Sequence, residues 1–180
     1  MRLSSEPTTT QRSQHGFRVV AELPTLKLAE PMTTEEALTQ FAFFVKEKGL
    51  DLRGIMFDYN GKQHDYNRTK KSAGAEAQKI EAVVRCGRTR LTVSFAGDAS
   101  AERMREIQEA ANRTARRIEL CETIIGTSLP MRKLKETVEL ATSCNSTTLI
   151  TGESGTGKEL VAQTIHNLSD RPSTPSVSVY

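Results

Sequence analysis

Thr147-Thr148-Leu149-Ile150-Thr151-Gly152-Glu153-Ser154-Gly155-Thr156-Gly157-Lys158-Glu159-Leu160-Val161 is the stretch on which the chain's reading turns. A β-branched run, Thr147 to Thr151, enters a turn carrying Gly152, Gly155 and Gly157. From Lys158 the apolar residues Leu160, Val161, Ile165 and Leu168, with Thr164, recur at helical spacing. Strand, glycine-rich turn and helix with a Gly-Lys pair at the junction is the layout of a phosphate-binding loop. Glycines let backbone N–H groups turn inward, the helix N-terminus adds partial positive charge, and a lysine ammonium reaches the terminal phosphates.

The bland alternative is an ordinary strand-turn-helix connection whose glycines serve turn geometry alone. The flanking strand and helix, together with Lys158, favour the phosphate reading. Glu159 stands where the general motif has a Ser or Thr whose hydroxyl binds Mg²⁺. A carboxylate there would reach the metal through water.

Further residues carry a resemblance. Ile124-Ile125-Gly126-Thr127-Ser128, a helix beginning near Pro130, the loop from Leu149 to Ala162, and Ile165-His166-Asn167-Leu168-Ser169-Asp170-Arg171 together resemble one family. It is the AAA+ domain of bacterial enhancer-binding proteins, the ATPases that activate sigma-54 RNA polymerase. In that family too, Glu follows the loop lysine. The resemblance covers about residues 124–175. It implies that Gly152, Glu153, Ser154, Gly155, Thr156, Gly157, Lys158 and Glu159 wrap the phosphates of ATP with Mg²⁺, and that Ile125 and Gly126 lie against the adenine. For a full-length member it also implies sigma-54 RNA polymerase and enhancer DNA as partners.

The family continues with a strand resembling Phe-Val-x-Val-Asn-Cys, where this sequence reads Ser176-Val177-Ser178-Val179-Tyr180. A fragment or a truncated gene is the expectation. Beyond Lys158 the acidic residues are Glu159 and Asp170, and neither ends an apolar strand where a Walker-B pair would sit. The sigma-contacting loop, arginine fingers and helix-turn-helix have no counterpart in these 180 residues. Hydrolysis needs a water-positioning carboxylate and usually an arginine, so these residues alone are expected to bind ATP without turning it over. No catalytic residue and no metal ligand is assigned.

Composition narrows the rest. At 180 residues and 37% hydrophobic, the chain can hold one moderate domain and part of another. A net charge of +3 with 26% charged residues is far from the basic excess of a nucleic-acid domain. Cys86, Cys121 and Cys144 are odd in number and widely spaced, which fits a reducing cytoplasm rather than a disulfide framework or zinc site. No apolar run approaches membrane-spanning length.

The predicted organisation is a disordered tail over 1–16, an α/β (α+β) regulatory domain over 17–99, a signalling helix over 100–123, and the first strand-loop-helix unit of an AAA+ domain over 124–180. Phe17 to Ala21 reads equally as strand or short helix. Thr33-Thr34-Glu35-Glu36 is a capping box opening a helix with Leu38, Phe41, Phe44, Val45 and Lys48 on one stripe, closed by Gly49. Leu52 to Tyr59 reads as a buried strand, and Asn60-Gly61 as a hairpin turn. The polar residues 60–78, with Lys70-Lys71 and Ser72-Ala73-Gly74, suggest a loop or weak helix, placing His64, Asp65 and Tyr66 in solvent. Ile80 to Cys86 and Arg90 to Phe95 are further strands around Gly87-Arg88, with Cys86 a core residue. Arg85, Arg88 and Arg90 read as a solvated face. This small antiparallel-sheet sensor layout resembles a shortened GAF-like domain, and a PAS-like domain shares it.

From Ser100 to Cys121 a long helix carries Met104, Ile107, Ala111, Thr114, Ile118 and Cys121 at heptad spacing. A two-stranded coiled coil forming a homodimer is one reading, and a stripe packed on the domain's own sheet is the other. The combined reading is the regulatory and ATP-binding portion of a sigma-54-dependent activator. The alternative is a standalone sensor or interaction protein with an inert ATPase remnant.

Overall fold

The computed structural model describes residues 18–20, 33–68, 78–84, 87–97, 99–144 and 147–169. Its elements run β1 (Arg18–Val20), α1 (Thr34–Glu47), β2 (Asp51–Tyr59), β3 (Lys62–Arg68), β4 (Gln78–Val83), β5 (Thr89–Ala96), α2 (Ala101–Thr123), α3 (Leu129–Ser143), β6 (Leu149–Thr151) and α4 (Lys158–Leu168). The expectations made for 1–16, Lys70 to Gly74, Arg85, Cys86, Asp170 and 176–180 lie outside the described residues.

Local chemistry sets the element ends. Thr33 Oγ1 accepts from the Glu36 amide at 3.2 Å while Glu36 Oε2 accepts from the Thr33 amide at 2.9 Å, so two orphan donors of α1 are satisfied reciprocally. Gly49, at φ +75°, takes the left-handed step that ends the helix. Asn60 and Gly61 both have positive φ, the requirement of the tight turn whose twist matches its flanking strands. Asp58 Oδ1 accepts from the Gly61 amide at 2.9 Å and closes that turn.

β2 to β5 form an antiparallel sheet in the order β3-β2-β5-β4. Leu52 and Ile55 both face the core although three positions apart, because the β2–β5 register shifts between Leu52 and Gly54. α1 packs on β2, and α2 packs on α1, β4 and β5. Between them lie Leu38, Val45, Ile55, Leu91, Val93, Phe95, Ile107 and Ile118, each at most 2% exposed. Burial on this scale contributes about 1.5–3 kcal/mol for each large aliphatic or aromatic side chain. The fold is therefore mixed α/β, with a four-stranded antiparallel sheet ahead of a strand-loop-helix unit.

Three expectations are corrected. Residues 62–68 are a strand, not a loop or weak helix, so His64, Asp65 and Tyr66 lie on β3. With polar side chains in all but one position, β3 shows no apolar period and is held through its backbone pairing with β2. A second shift, between Ile55 and Met56, lets Tyr66 hydrogen-bond Thr39 Oγ1 on α1, and the His64 ring stacks on Phe57 with centroids 4.8 Å apart. β4 runs from Gln78 to Val83 and leaves out Val84, and the strand before the loop begins at Leu149 rather than Thr147. Of the two conformations open to Phe17 to Ala21, Arg18–Val20 takes the strand, and it pairs antiparallel with β6 rather than joining the four-stranded sheet.

The heptad stripe is also resolved. Ile107, Ala111, Thr114 and Ile118 are all buried within the chain's own core, so the stripe packs on the domain's own elements. A homodimer through this helix would have to use its opposite face, where Glu102, Arg105, Glu109 and Arg113 are exposed.

A candidate phosphate-binding loop and the joint behind it

The helix that follows the loop, α4, packs on α3 and on α2. Val138 of α3 is fully buried, Val161, Thr164 and Leu168 of α4 are at most 3% exposed, and α4 packs on α3, β6 and α2. Val138, Val161 and Leu168 belong to one buried cluster with the core beneath the sheet, as do Leu120 and Ile124 at the end of α2. Arg117 Nε on α2 donates to Glu139 Oε1 on α3 at 2.7 Å, a half-exposed pair that aligns more than it stabilises.

β6 delivers the chain to Gly152, and the turn ends at Gly157, the N-cap of α4. Gly155 at φ +78° and Gly157 at φ +86° occupy the left-handed region, and a Cβ at either would meet nothing within 4 Å. Their requirement is conformational, and the space beside them is open. Glu153 O collects the loop's donors: Thr156 Oγ1 at 2.8 Å and Lys158 Nζ at 2.5 Å. Gly152, Glu153, Ser154, Gly155, Gly157 and Glu159 are exposed, with Thr156 and Lys158 half-buried. Glu159 lies in the first turn of α4, where a negative charge is favoured by the helix dipole. An ammonium and a helix N-terminus facing open space form an arrangement that accepts an anion.

Ile125 and Gly126 lie in the connection between α2 and α3, and α3 joins that corner to the loop by packing on α4. Ile124 is buried at 3% exposure while Ile125 next to it is 84% exposed. Gly126 has φ +140°, and a Cβ there would stand 2.9 Å from Met131 Cγ. Both backbone conformation and the approach of Met131 therefore demand glycine. Arg132 Nε donates to Thr127 O at 3.0 Å and steadies the same corner.

A set of polar contacts at the end of α2 had no sequence signal, since its partners lie 30 or more residues apart. Thr34 Oγ1 donates to Glu122 Oε1 at 2.7 Å, and the Tyr59 hydroxyl hydrogen-bonds Thr123 Oγ1 at 3.3 Å. Glu119, only 4% exposed, accepts at Oε2 from the Arg88 amide at 2.8 Å and from Thr89 Oγ1 at 2.7 Å. Nearby, burial pushes the Cys121 thiol above its ordinary pKa, with the Lys135 ammonium partly opposing it. Among the described residues no group of three His, Cys, Asp or Glu side chains is placed to hold a metal ion, and no helix is long and apolar enough to cross a membrane.

Residues 124–180 match the Sigma-54 interaction domain family. The Transcriptional activator RocR of Bacillus subtilis (strain 168) is 38% identical over 96 residues, which is 53% of this chain and 21% of that protein. A "Signal-transduction and transcriptional-control protein" of Clostridium beijerinckii is 47% identical over 73 residues, 41% of this chain and 11% of the relative. The Nif-specific regulatory protein of Azorhizobium caulinodans is 45% identical over 74 residues, again 41% of this chain and 11% of the relative. The matched stretch thus spans about a tenth to a fifth of the length of these relatives. No solved structure matches the chain.

Proposed function

Because residues 124–180 match the Sigma-54 interaction domain family, we propose that this chain is the regulatory and ATP-binding portion of a sigma-54-dependent transcriptional activator. The observation that carries the reading is the Lys158 ammonium bonded to Glu153 O in a loop with two left-handed glycines. A carbonyl oxygen occupies the lysine as a phosphate oxygen would, and the donor set suits an oligophosphate. Gly152 to Lys158 hold the phosphates of ATP, Glu159 reaches Mg²⁺ through water, and exposed Ile125 offers an apolar seat for adenine beside Gly126. Bound Mg²⁺ would offset phosphate charge.

The four-stranded sheet with α1 and α2, Thr34 to Thr123, is a GAF-like regulatory module. Its coupling to the ATP site runs through the end of α2, where Glu119, Glu122 and Thr123 fasten to the β4–β5 turn, α1 and β2. Sigma-54 RNA polymerase and enhancer DNA are the partners of the whole activator, and a homodimer forms on the exposed charged face of α2.

Calorimetry with a non-hydrolysable ATP analogue and Mg²⁺ tests the reading. Saturable one-to-one binding is expected in the wild type, and binding at least about tenfold weaker in Lys158→Ala. Equal binding by both removes the phosphate-loop assignment.

A further inference from the structure

β6 delivers the chain to the glycine-rich loop, and little apolar burial holds it there. Leu149 is 62% exposed, Thr151 is exposed and Ile150 is half-buried. The strand packs on α4 and pairs with β1, and among the described residues β1 is its one strand neighbour. The pairing is antiparallel, with Val20 opposite Leu149, Val19 opposite Ile150 and Arg18 opposite Thr151. It therefore runs up to the residue before Gly152. Its outer strand comes from far away in the chain, since β1 precedes α1 and takes no place in the four-stranded sheet.

The two ends of the loop are held by different means. At the exit, Val161, Thr164 and Leu168 seat α4 in the core. At the entry no β6 side chain is buried, so the backbone pairing with β1 fixes where the strand lies. The two ends meet in one contact: Lys158 Nζ, from the exit, donates to the carbonyl oxygen of Glu153, two residues past β6. Lysine and loop amides converge on one anion position only while both ends are fixed. A ribbon of two short strands is marginal by itself, so the entry is the end that limits how well the loop is set.

We infer that β1 is a positioning strand for the phosphate loop, its backbone pairing with β6 setting the loop entry and raising nucleotide affinity. The inference rests on the nucleotide reading given above and adds to it a remote segment, Arg18–Val20. Positioning by backbone bonds makes a specific demand. Successive N–H groups of a strand point to opposite edges. One of Val19 and Val20 thus offers its amide to β6, and the other offers it to the outer edge, where no strand pairs among the described residues. Coupling is also reciprocal: bound nucleotide holds β1 on β6 by the factor through which β1 raises affinity.

Calorimetry on the full chain with a non-hydrolysable ATP analogue and Mg²⁺, for Val19→Pro, Val20→Pro and the double variant, tests this. The double variant is expected to bind about fivefold or more weakly, the effect of removing a backbone donor from the ladder. One single variant should account for that loss, while the proline on the outer edge stays within about twofold of wild type. Val19→Thr with Val20→Thr, which keeps both amides and the β-branched shape, should bind as the wild type does. In the wild type, saturating analogue should slow amide hydrogen exchange across Arg18–Val20 by a similar factor. Melting of the sheet domain by circular dichroism should be unchanged throughout, because β1 lies outside that sheet. Wild-type affinity in the double proline variant overturns the role of β1 and leaves the nucleotide reading standing. A sheet domain that no longer melts cooperatively in that variant overturns it too, making β1 a support of the whole fold. No saturable binding by the wild type overturns both readings.

Discussion

Lys158 Nζ donates to the carbonyl oxygen of Glu153 at 2.5 Å, across the mouth of the glycine-rich loop. The same oxygen accepts from Thr156 Oγ1 at 2.8 Å, so the loop is held in a closed ring by its own donors. On the proposed nucleotide reading, an incoming phosphate oxygen would replace that carbonyl rather than fill an empty position. The contact exchanged is charge-assisted, worth about 1.5–3 kcal/mol when one partner is removed. Lys158→Ala is therefore expected to weaken ATP-analogue binding by at least about tenfold. The helix should survive, because alanine is the better helix former. Calorimetric titration together with circular dichroism checks both statements.

Gly126 and Met131 give a prediction for stability. At φ +140° a side chain strains the backbone by about 1–3 kcal/mol, and the approach of Met131 adds a steric term. Gly126→Val is expected to lower the unfolding free energy by about 2–4 kcal/mol. Adding Met131→Ala should recover the steric part and leave the conformational part. Thermal or denaturant unfolding of the single and double variants measures it. A double variant as stable as the wild type would mean that backbone conformation contributes nothing at this corner.

The features legible in the sequence were those written in local chemistry. Thr33 and Glu36 announce their capping box three residues apart, Asn60-Gly61 announces its turn, and the run from Leu149 to Lys158 announces strand, loop and helix. β3 escaped because a strand carried by backbone bonds at a sheet edge, with Lys62, Gln63, His64 and Asp65 in solvent, leaves no apolar alternation to find. Only the turn before it pointed to a returning strand. The pairing of Arg18–Val20 with Leu149–Thr151 joins segments far apart in the chain, and no local rule connects them. Glu119 was invisible for a similar reason. In sequence it is one more acidic residue on a charged helix, and only tertiary packing places Arg88 and Thr89 at its carboxylate.

Cys121 offers a chemical test of the joint between α2 and α3. Burial raises its thiol pKa more strongly than the Lys135 ammonium lowers it, so less thiolate is present at pH 8 than for a free cysteine. Its reaction with a disulfide reagent is expected to be slower than in the unfolded chain. Because the folded pKa is raised, the associated stability is fully present below the unfolded value and is lost as pH rises through the folded one. Unfolding free energy should therefore fall above about pH 9 more in the wild type than in Cys121→Ser. Coincident pH profiles for the two proteins would exclude Cys121 as the cause.

Ile118 decides between the two uses of the α2 stripe. It is fully buried inside the chain's own core with Leu91, Val93, Ile107 and Ala111, leaving no room for a seam between copies on that face. An aspartate at this position removes an apolar contribution of about 1.5–3 kcal/mol and also buries a charge without donors. The sum approaches the whole stability of a small domain. Ile118→Asp is therefore expected to unfold the sheet domain, seen as loss of cooperative melting by circular dichroism. Arg113→Ala, on the exposed face of the same helix, should change stability by no more than about 0.5 kcal/mol. If α2 pairs with a second copy it must use that exposed face. The charge-reversing pair Glu109→Lys with Arg113→Glu should then shift sedimentation toward monomer while the melting transition stays intact. A folded, monomeric Ile118→Asp protein made from a dimeric wild type would reverse the conclusion and return the stripe to the intermolecular role.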